Sequence, residues 1–157
     1  MNILFICTHN ACRSVLGEVI TRELSNGRIA TASAGSSPAG RVDPLTLKYL
    51  EANNYSTDML NSESLEDATK KFIPDIIITV CDRAAREACP VIFDETIKHW
   101  GLIVPSHLAD DSISEEAAFN QVINTIEKRI QHFLSKPFEQ MDRESLQTII
   151  NETGELF

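Results

Sequence analysis

The decisive stretch of the chain reads Ile3-Leu4-Phe5-Ile6-Cys7-Thr8-His9-Asn10-Ala11-Cys12-Arg13-Ser14. Its apolar first part is typical of a buried β-strand, and the apolar spacing after Ser14 predicts a helix. Between them lies a loop that begins with a thiol and ends, after five intervening residues, with an arginine and a hydroxyl. In that position the backbone N–H groups of the loop can turn inward around an anion, beside the positive end of the helix dipole.

This loop predicts an oxyanion site around a nucleophile, with Cys7 and Arg13 as catalytic residues. Arg13 can hold two oxygens of a tetrahedral anion in a bidentate fork. The positive groups favour the thiolate form of Cys7, Ser14 can donate a hydrogen bond to it, and Asn10 can pin the loop. A cysteine that ends a buried strand is usually only a small apolar residue, so the interpretation depends on the strand–loop–helix context. The residues expected to contact the oxyanion are Thr8, His9, Asn10, Ala11, Cys12, Arg13 and Ser14.

Length and composition limit the classes of function. The 157 residues predict a single domain over 1–157, large enough to bury a core. The net charge of −9 argues against nucleic acid or an anionic membrane as a partner, so an anionic substrate needs positive potential concentrated at the loop. No run approaches the roughly 20 apolar residues that span a bilayer. Four cysteines without a recognisable export signal favour the reducing cytoplasm, where we expect a monomer.

The apolar periodicity predicts strands that alternate with helices. The predicted strands cover 2–7, 28–34, 75–80 and 97–100, and the predicted helices cover 14–25, 43–53, part of 60–72, one or two turns in 83–88, the segment from 114 to about 134, and 143–151. This alternation predicts a three-layer α/β/α sandwich around a central four-stranded parallel sheet. Ligands of such sheets bind beyond the carboxyl ends of the strands. Cys7 and Cys81 both end predicted strands, so they can lie at the same edge.

A second pair of cysteines, Cys81 and Cys89, lies eight positions apart. No histidine or further cysteine stands at a metal-ligand spacing nearby, which disfavours structural zinc. One interpretation is a redox relay, in which one thiol acts at the oxyanion site and the other resolves the disulfide. That relay requires a local helix to refold, because cysteines eight apart on an intact helix are too distant to bridge. The other interpretation is two buried, inert thiols.

The chain resembles a known family in its loop and in several later segments. The loop is similar to the phosphate-binding loop of the low-molecular-weight protein tyrosine phosphatase superfamily. Further matching segments are Ala32-Ser33-Ala34-Gly35, Val80-Cys81-Asp82, Glu87-Ala88-Cys89-Pro90 and His99-Trp100-Gly101-Leu102. With them, the chain looks like the arsenate reductases of that superfamily, which couple to thioredoxin or a related thiol system.

The resemblance implies a mechanism and partners. Arsenate would occupy the loop, and the Cys7 thiolate would attack arsenic to form a covalent adduct. Cys81 would then attack Cys7 and release arsenite, and Cys89 would attack Cys81 to form a disulfide that a thioredoxin or glutaredoxin-type protein reduces. Cys12 matches a position outside this relay, either structural or protective of Cys7. No tightly bound cofactor is implied apart from a potassium ion that some reductases hold near the loop, for which the matching residues are Asn10, Glu18 and Ser33.

One departure weakens the resemblance. Family members usually carry an Asp-Pro pair after Trp-Gly-Leu, with the aspartate as general acid, whereas this chain has Val104 there. Valine cannot protonate a leaving group, a step that contributes about 10²–10⁴-fold. The alternatives are a low-molecular-weight phosphatase that uses Cys7, weakened by Val104, and a non-enzymatic protein that binds oxyanions. Arg86 stands where close relatives tend to have a small residue.

Overall fold

A parallel sheet lies at the centre of the fold in the computed structural model, which describes residues 1–81, 97–102, 105 and 113–157. The strands of these residues are β1 (Asn2–Cys7), β2 (Ala30–Gly35), β3 (Ile76–Thr79) and β4 (Ile97–His99). Their order is β2-β1-β3-β4, and all three pairings are parallel. The first strand has the predicted bounds, and the other three are shorter or shifted by one or two residues.

Burial on both faces of the sheet explains the layered architecture. Successive residues of β1 point to opposite faces, yet Ile3, Leu4, Phe5 and Ile6 are all at most 1% exposed. The same holds for the isoleucines of β3, residues 76–78, which are at most 2% exposed. Strands that are apolar on both faces need cover on both faces. The predicted three-layer sandwich with a four-stranded parallel sheet is therefore confirmed for the described residues.

The helices follow the predicted order along the chain. They are α1 (Arg13–Leu24), α2 (Pro44–Ala52), α3 (Leu65–Lys71), α4 (Glu115–Leu134) and α5 (Arg143–Leu156), with a short 3₁₀ helix at Phe138–Gln140. The last helix continues well past its predicted end near residue 151. The sequence predicts an earlier end because Gly154 interrupts the amphipathic pattern. In the fold, tertiary contacts hold the helix there. The predicted turns at 83–88 lie outside the described residues. None of the described helices is long and apolar enough to cross a membrane.

The topology places a switch point at the carboxyl ends of β1 and β3. The chain passes from β1 to β2 on one side and then to β3 on the other, so the direction of the strand order changes at β1. Such a switch point is where parallel α/β sheets bind ligands. The pairing continues one step beyond β3, since the Val80 N–H donates to the Ile6 carbonyl at 2.9 Å. The residues that follow, Cys7 and Cys81, therefore end neighbouring strands.

Candidate active site

The carbonyl groups of the loop between β1 and α1 are turned away from the loop centre and towards the segment 36–43. The bonds run from the N–H groups of Ser36, Ser37, Ala39 and Asp43 to the carbonyls of Cys7, Thr8, His9 and Ala11, at 2.8 to 3.2 Å. Asn10 adopts a left-handed conformation with φ 47°, and such a residue within a tight loop is typical of an anion-binding nest. With the carbonyls facing outward, the loop can direct its N–H groups inward, as the sequence predicts.

The N-terminus of α1 is open towards this loop. Cys12 is its N-cap, and no side chain caps the helix there. The other described α-helices all begin with a side-chain cap, from Asp43, Ser64, Ser114 and Asp142 respectively. The first backbone N–H groups of a helix lack intrahelical partners, so an uncapped end is a natural place for an anion.

The Cys7 sulfur lies at the centre of the loop and is held by two polar groups. The side chain is 3% exposed. The Asn10 N–H donates to the sulfur at 3.2 Å, and the Ser14 hydroxyl lies 2.9 Å from it. The Asn10 side-chain amide donates to the Ser14 oxygen at 2.8 Å, which leaves the Ser14 proton available to donate to a Cys7 thiolate. Both contacts stabilise a negative charge on the sulfur, as a nucleophilic thiolate requires.

The three residues assigned to potassium, Asn10, Ser33 and Glu18, lie together in a hydrogen-bonded chain. The Asn10 amide N–H donates to Ser33 at 2.9 Å, and Ser33 donates to Glu18 at 2.6 Å. The Asn10 carbonyl oxygen faces elsewhere and accepts from the Glu63 N–H at 2.9 Å. Burial raises the pKa of Glu18, an effect that the bond from Ser33 opposes. As arranged, this donor set does not fit a cation, because the Asn10 side chain turns its N–H group towards Ser33 and its oxygen towards the Glu63 N–H. Potassium stays a prediction.

Arg13 reaches across the site to a carbonyl that the sequence does not single out. Its Nη1 atom donates to the Leu102 carbonyl at 3.0 Å. This bond uses one donor and restrains the guanidinium, and the other N–H groups are available for an oxyanion. No sequence signal could identify Leu102 for this role, because every residue carries a carbonyl and the bond depends only on the fold.

Cys81 lies beside the loop through Thr8, the residue next to Cys7. The Thr8 hydroxyl oxygen is 3.2 Å from the Cys81 sulfur, and the Cys81 side chain is 5% exposed. The structure thus brings Cys7, Arg13 and Cys81 to one edge of the sheet, as the strand ends predict. Cys89, Val104 and Arg86 lie outside the described residues.

The described cysteines Cys7, Cys12 and Cys81 form no disulfide with one another. Cys12 lies at the start of α1 and is partly buried. Desolvation by this burial raises its pKa to about 11, so Cys12 is a neutral thiol at physiological pH. This property sets Cys12 apart from a nucleophile.

Gly35 is a site residue whose role the sequence analysis missed. A Cβ atom at this position would lie 2.8 Å from the Thr8 carbonyl oxygen and 3.0 Å from the Asn10 nitrogen. Glycine therefore lets the end of β2 approach the loop. The available signal was a glycine at the end of a predicted strand, next to the loop in a parallel sheet.

The remaining predicted contact, His9, has an exposed side chain whose Nδ1 lies 3.2 Å from the Ser37 carbonyl.

Comparisons with known proteins agree with this geometry. Residues 2–147 match the family model of low molecular weight phosphotyrosine protein phosphatase. The chain is 32% identical over 137 residues to "Arsenate reductase 2" of Staphylococcus saprophyticus, covering 83% of this chain and 94% of that protein. It is 30% identical over 138 residues to "Arsenate reductase 1" of Staphylococcus haemolyticus, covering 83% and 92%. A solved structure of an arsenate reductase in the phosphate binding state has a TM-score of 0.67 and 22% identity, covering 85% of this chain and 96% of that one.

Proposed function

We propose that this chain, which belongs to the low molecular weight phosphotyrosine protein phosphatase family as its motifs predict, reduces arsenate to arsenite. The reaction uses the thiols of Cys7, Cys81 and Cys89 and an external dithiol protein as the final reductant. Relatives that carry the name arsenate reductase support this choice within the family. The observation that carries the proposal is the second thiol: the Cys81 sulfur lies 3.2 Å from the hydroxyl of Thr8, the neighbour of Cys7.

Arsenate binds in the loop as a tetrahedral anion. The inward N–H groups, the open end of α1 and the Arg13 guanidinium supply positive charge around it. The bond from Arg13 to the Leu102 carbonyl holds the guanidinium in place before the anion arrives, so little ordering is needed during binding. This local charge accounts for anion binding by a chain whose net charge is −9.

In the first chemical step, the Cys7 thiolate attacks arsenic. A sulfur–arsenic bond forms, and one arsenate oxygen leaves as water after it takes up protons from solvent. Ser14 and the Asn10 N–H stabilise the thiolate before attack, at 2.9 and 3.2 Å from the sulfur. Arg13 balances the negative charge that builds up on the remaining oxygens.

In the second step, the Cys81 thiolate attacks the Cys7 sulfur. A disulfide forms between the two cysteines, the sulfur–arsenic bond breaks, and its electron pair stays on arsenic, which is reduced from As(V) to As(III). Arsenite leaves. Thr8 supports this step because its hydroxyl lies at the Cys81 sulfur and its backbone is part of the loop.

In the third step, Cys89 attacks Cys81. The new Cys81–Cys89 disulfide forms, and Cys7 is released as a thiolate, ready for the next arsenate. A thioredoxin or glutaredoxin-type protein then reduces the disulfide and supplies the two electrons of the cycle. The substrate therefore reacts with Cys7, whereas the reductant reacts with the Cys81–Cys89 disulfide.

The test is an assay of arsenite formation by the full chain with thioredoxin, thioredoxin reductase and NADPH. Cys7→Ser and Cys81→Ser are expected to form no arsenite. Cys89→Ser is expected to form about one equivalent of arsenite per chain and then stop, because its Cys7–Cys81 disulfide is not resolved. Cys12→Ser is the matched control among the cysteines and is expected to turn over repeatedly. Repeated turnover by Cys89→Ser at the parental rate would contradict the relay.

Phosphomonoester hydrolysis is the second candidate, since the family model is that of a phosphatase. It would use Cys7 and Arg13 in the same way but needs a general acid, and the matching position is Val104. We expect weak hydrolysis of p-nitrophenyl phosphate by the parental chain and a gain of about 10²-fold in Val104→Asp. Strong hydrolysis by the parental chain, without arsenite formation, would favour the phosphatase.

A further inference from the structure

The segment after β4 contacts a buried arginine, Arg129 of α4. Arg129 is 5% exposed. Its Nη2 donates to the Phe157 backbone oxygen at 2.7 Å and its Nε to the same atom at 3.2 Å. The same guanidinium reaches the Gly154 carbonyl at 3.4 Å, so it caps the last carbonyls of α5.

Arg129 also contacts the segment that holds Arg13. Both of its terminal nitrogens lie 3.5 Å from the Gly101 carbonyl oxygen, and its Cζ is 5.8 Å from the centre of the Trp100 ring. The next carbonyl along the chain, that of Leu102, accepts from Arg13 at 3.0 Å. Two arginines from different helices thus hold adjacent peptide groups, one from the core and one from the site.

The C-terminal half of α5 closes this arrangement. The Trp100 indole N–H donates to the Ile150 carbonyl at 2.8 Å. A Cβ atom at Gly154 would lie 2.5 Å from Trp100 Cδ1, so only glycine lets the helix lie against the ring. The family model ends at residue 147, so Ile150, Gly154 and Phe157 belong to a part of the chain outside that match.

We propose that Arg129 is a positioning residue for oxyanion binding, which ties the C-terminal turns of α5 to the Gly101–Leu102 peptide and thereby fixes the guanidinium of Arg13. The proposal rests on the oxyanion-binding role of the loop given under the proposed function, and it does not depend on which reaction follows. The energetic argument is that a buried cation is costly unless its donors are satisfied, so α5 and Gly101 must keep their places around Arg129. The two peptide groups that flank the Cα atom of Leu102 are then each held by an arginine.

The experiment measures binding of inorganic phosphate to the reduced full chain by calorimetry. Arg129→Lys keeps the charge but loses the fork that spans several carbonyls, and it is expected to raise the phosphate Kd about fivefold. Gly154→Ala, which forces α5 away from Trp100, acts from the other side and is expected to raise the Kd in the same direction. It is the second variant if Arg129→Lys does not fold. Lys128→Gln, one position earlier on α4 and exposed, is the matched control and is expected to leave the Kd unchanged.

A double-variant comparison separates positioning from general loosening of the structure. Arg13→Lys weakens phosphate binding by itself, and adding Arg129→Lys is expected to weaken it no further, because the residue through which Arg129 acts is already altered. Effects of the two substitutions that multiply would overturn the proposal, and so would an unchanged phosphate Kd in both Arg129→Lys and Gly154→Ala. Phosphate binding that follows these expectations in a chain that forms no arsenite would sink the proposed reaction and leave the positioning role standing.

Discussion

The N-termini of α1 and α4 are built in opposite ways. At α4, the Ser114 side chain accepts from the Ala117 N–H at 3.2 Å, and Glu115 and Glu116 occupy the first turn. At α1, no side chain caps the helix, no acidic residue lies in the first turn, and Arg13 is the first helical residue. Negative groups at a helix N-terminus are favourable and positive ones are not, so α4 follows the rules of helix stability and α1 breaks them.

The difference indicates that the N-terminus of α1, and not that of α4, binds a ligand. The backbone donors at the start of α1 stay available, and a cation stands among them, so this end favours the negative charge of the Cys7 thiolate and of a bound anion. Departures from local stability rules tend to mark functional sites, where the missing interaction comes from the substrate. At α4 the protein itself supplies the acceptor. The two ends should therefore respond in opposite ways to mutation and to phosphate.

The largest expected effect is on activity, at the α1 end. Arg13→Met removes the fork that grips the anion, and kcat/KM for arsenate is expected to fall about 10³-fold. Without an anion, the free energy of unfolding should change by less than about 1 kcal/mol, because the substitution removes a positive charge from an unfavourable position as well as the bond to Leu102. Arsenite assays and urea unfolding measure the two quantities. Retained activity in Arg13→Met would remove the basis of the contrast.

The second prediction concerns stabilisation by phosphate. At a free phosphate concentration of about 100 times Kd, the folded state gains about 2.7 kcal/mol, which for a chain of this size raises Tm by about 5–10 °C. The gain should disappear in Arg13→Met and persist in Ser114→Ala, since only α1 is open to the anion. Calorimetric scans in phosphate and in chloride at matched ionic strength provide the comparison. An equal rise of Tm in all three proteins would point to a general salt effect.

The third prediction concerns the capped helix. Ser114→Ala removes the acceptor for the Ala117 N–H and is expected to cost about 1 kcal/mol of stability, a fall in Tm of about 2–4 °C. Its kcat/KM for arsenate should stay within about twofold of the parental value. Ser114→Asp is the matched control, because aspartate restores the cap. A loss of activity without a loss of stability in Ser114→Ala would contradict the division of roles between the two helix ends.

These contrasts also show what could be predicted from the sequence. The strand–loop–helix around Cys7 follows from apolar spacing and residue type over a few positions, and it appears as predicted. The position of Cys7 and Cys81 at one edge of the sheet follows from one further rule, because the carboxyl ends of parallel strands lie at the same edge. The role of Leu102 could not be predicted, since it depends on a main-chain carbonyl that only the folded chain brings to Arg13.

The full length of α5 could not be predicted from the sequence for a related reason. Gly154 weakens a helix when judged locally, and its value is visible only when Trp100 lies against it. Arg129 has the same character, because an arginine on a helix is normally a surface residue and here its partners are main-chain oxygens from two distant segments. Local patterns thus predict elements and side-chain chemistry, while main-chain contacts between distant segments require the structure.

The smallest expected effect is at Cys12, the N-cap position of α1. Cys12→Ser places a good capping residue there, yet the backbone angles of φ −137° and ψ −82° differ from the extended conformation of the caps at Ser64 and Ser114. The new hydroxyl should therefore not reach the first-turn N–H groups, and stability should change by less than about 0.5 kcal/mol. In the parental chain the pKa of about 11 keeps this thiol protonated, so alkylation of Cys12 by iodoacetamide should become fast only above about pH 10. A gain of about 1 kcal/mol in Cys12→Ser would mean that α1 can be capped like α4, and the open helix end would then owe nothing to the geometry of the loop.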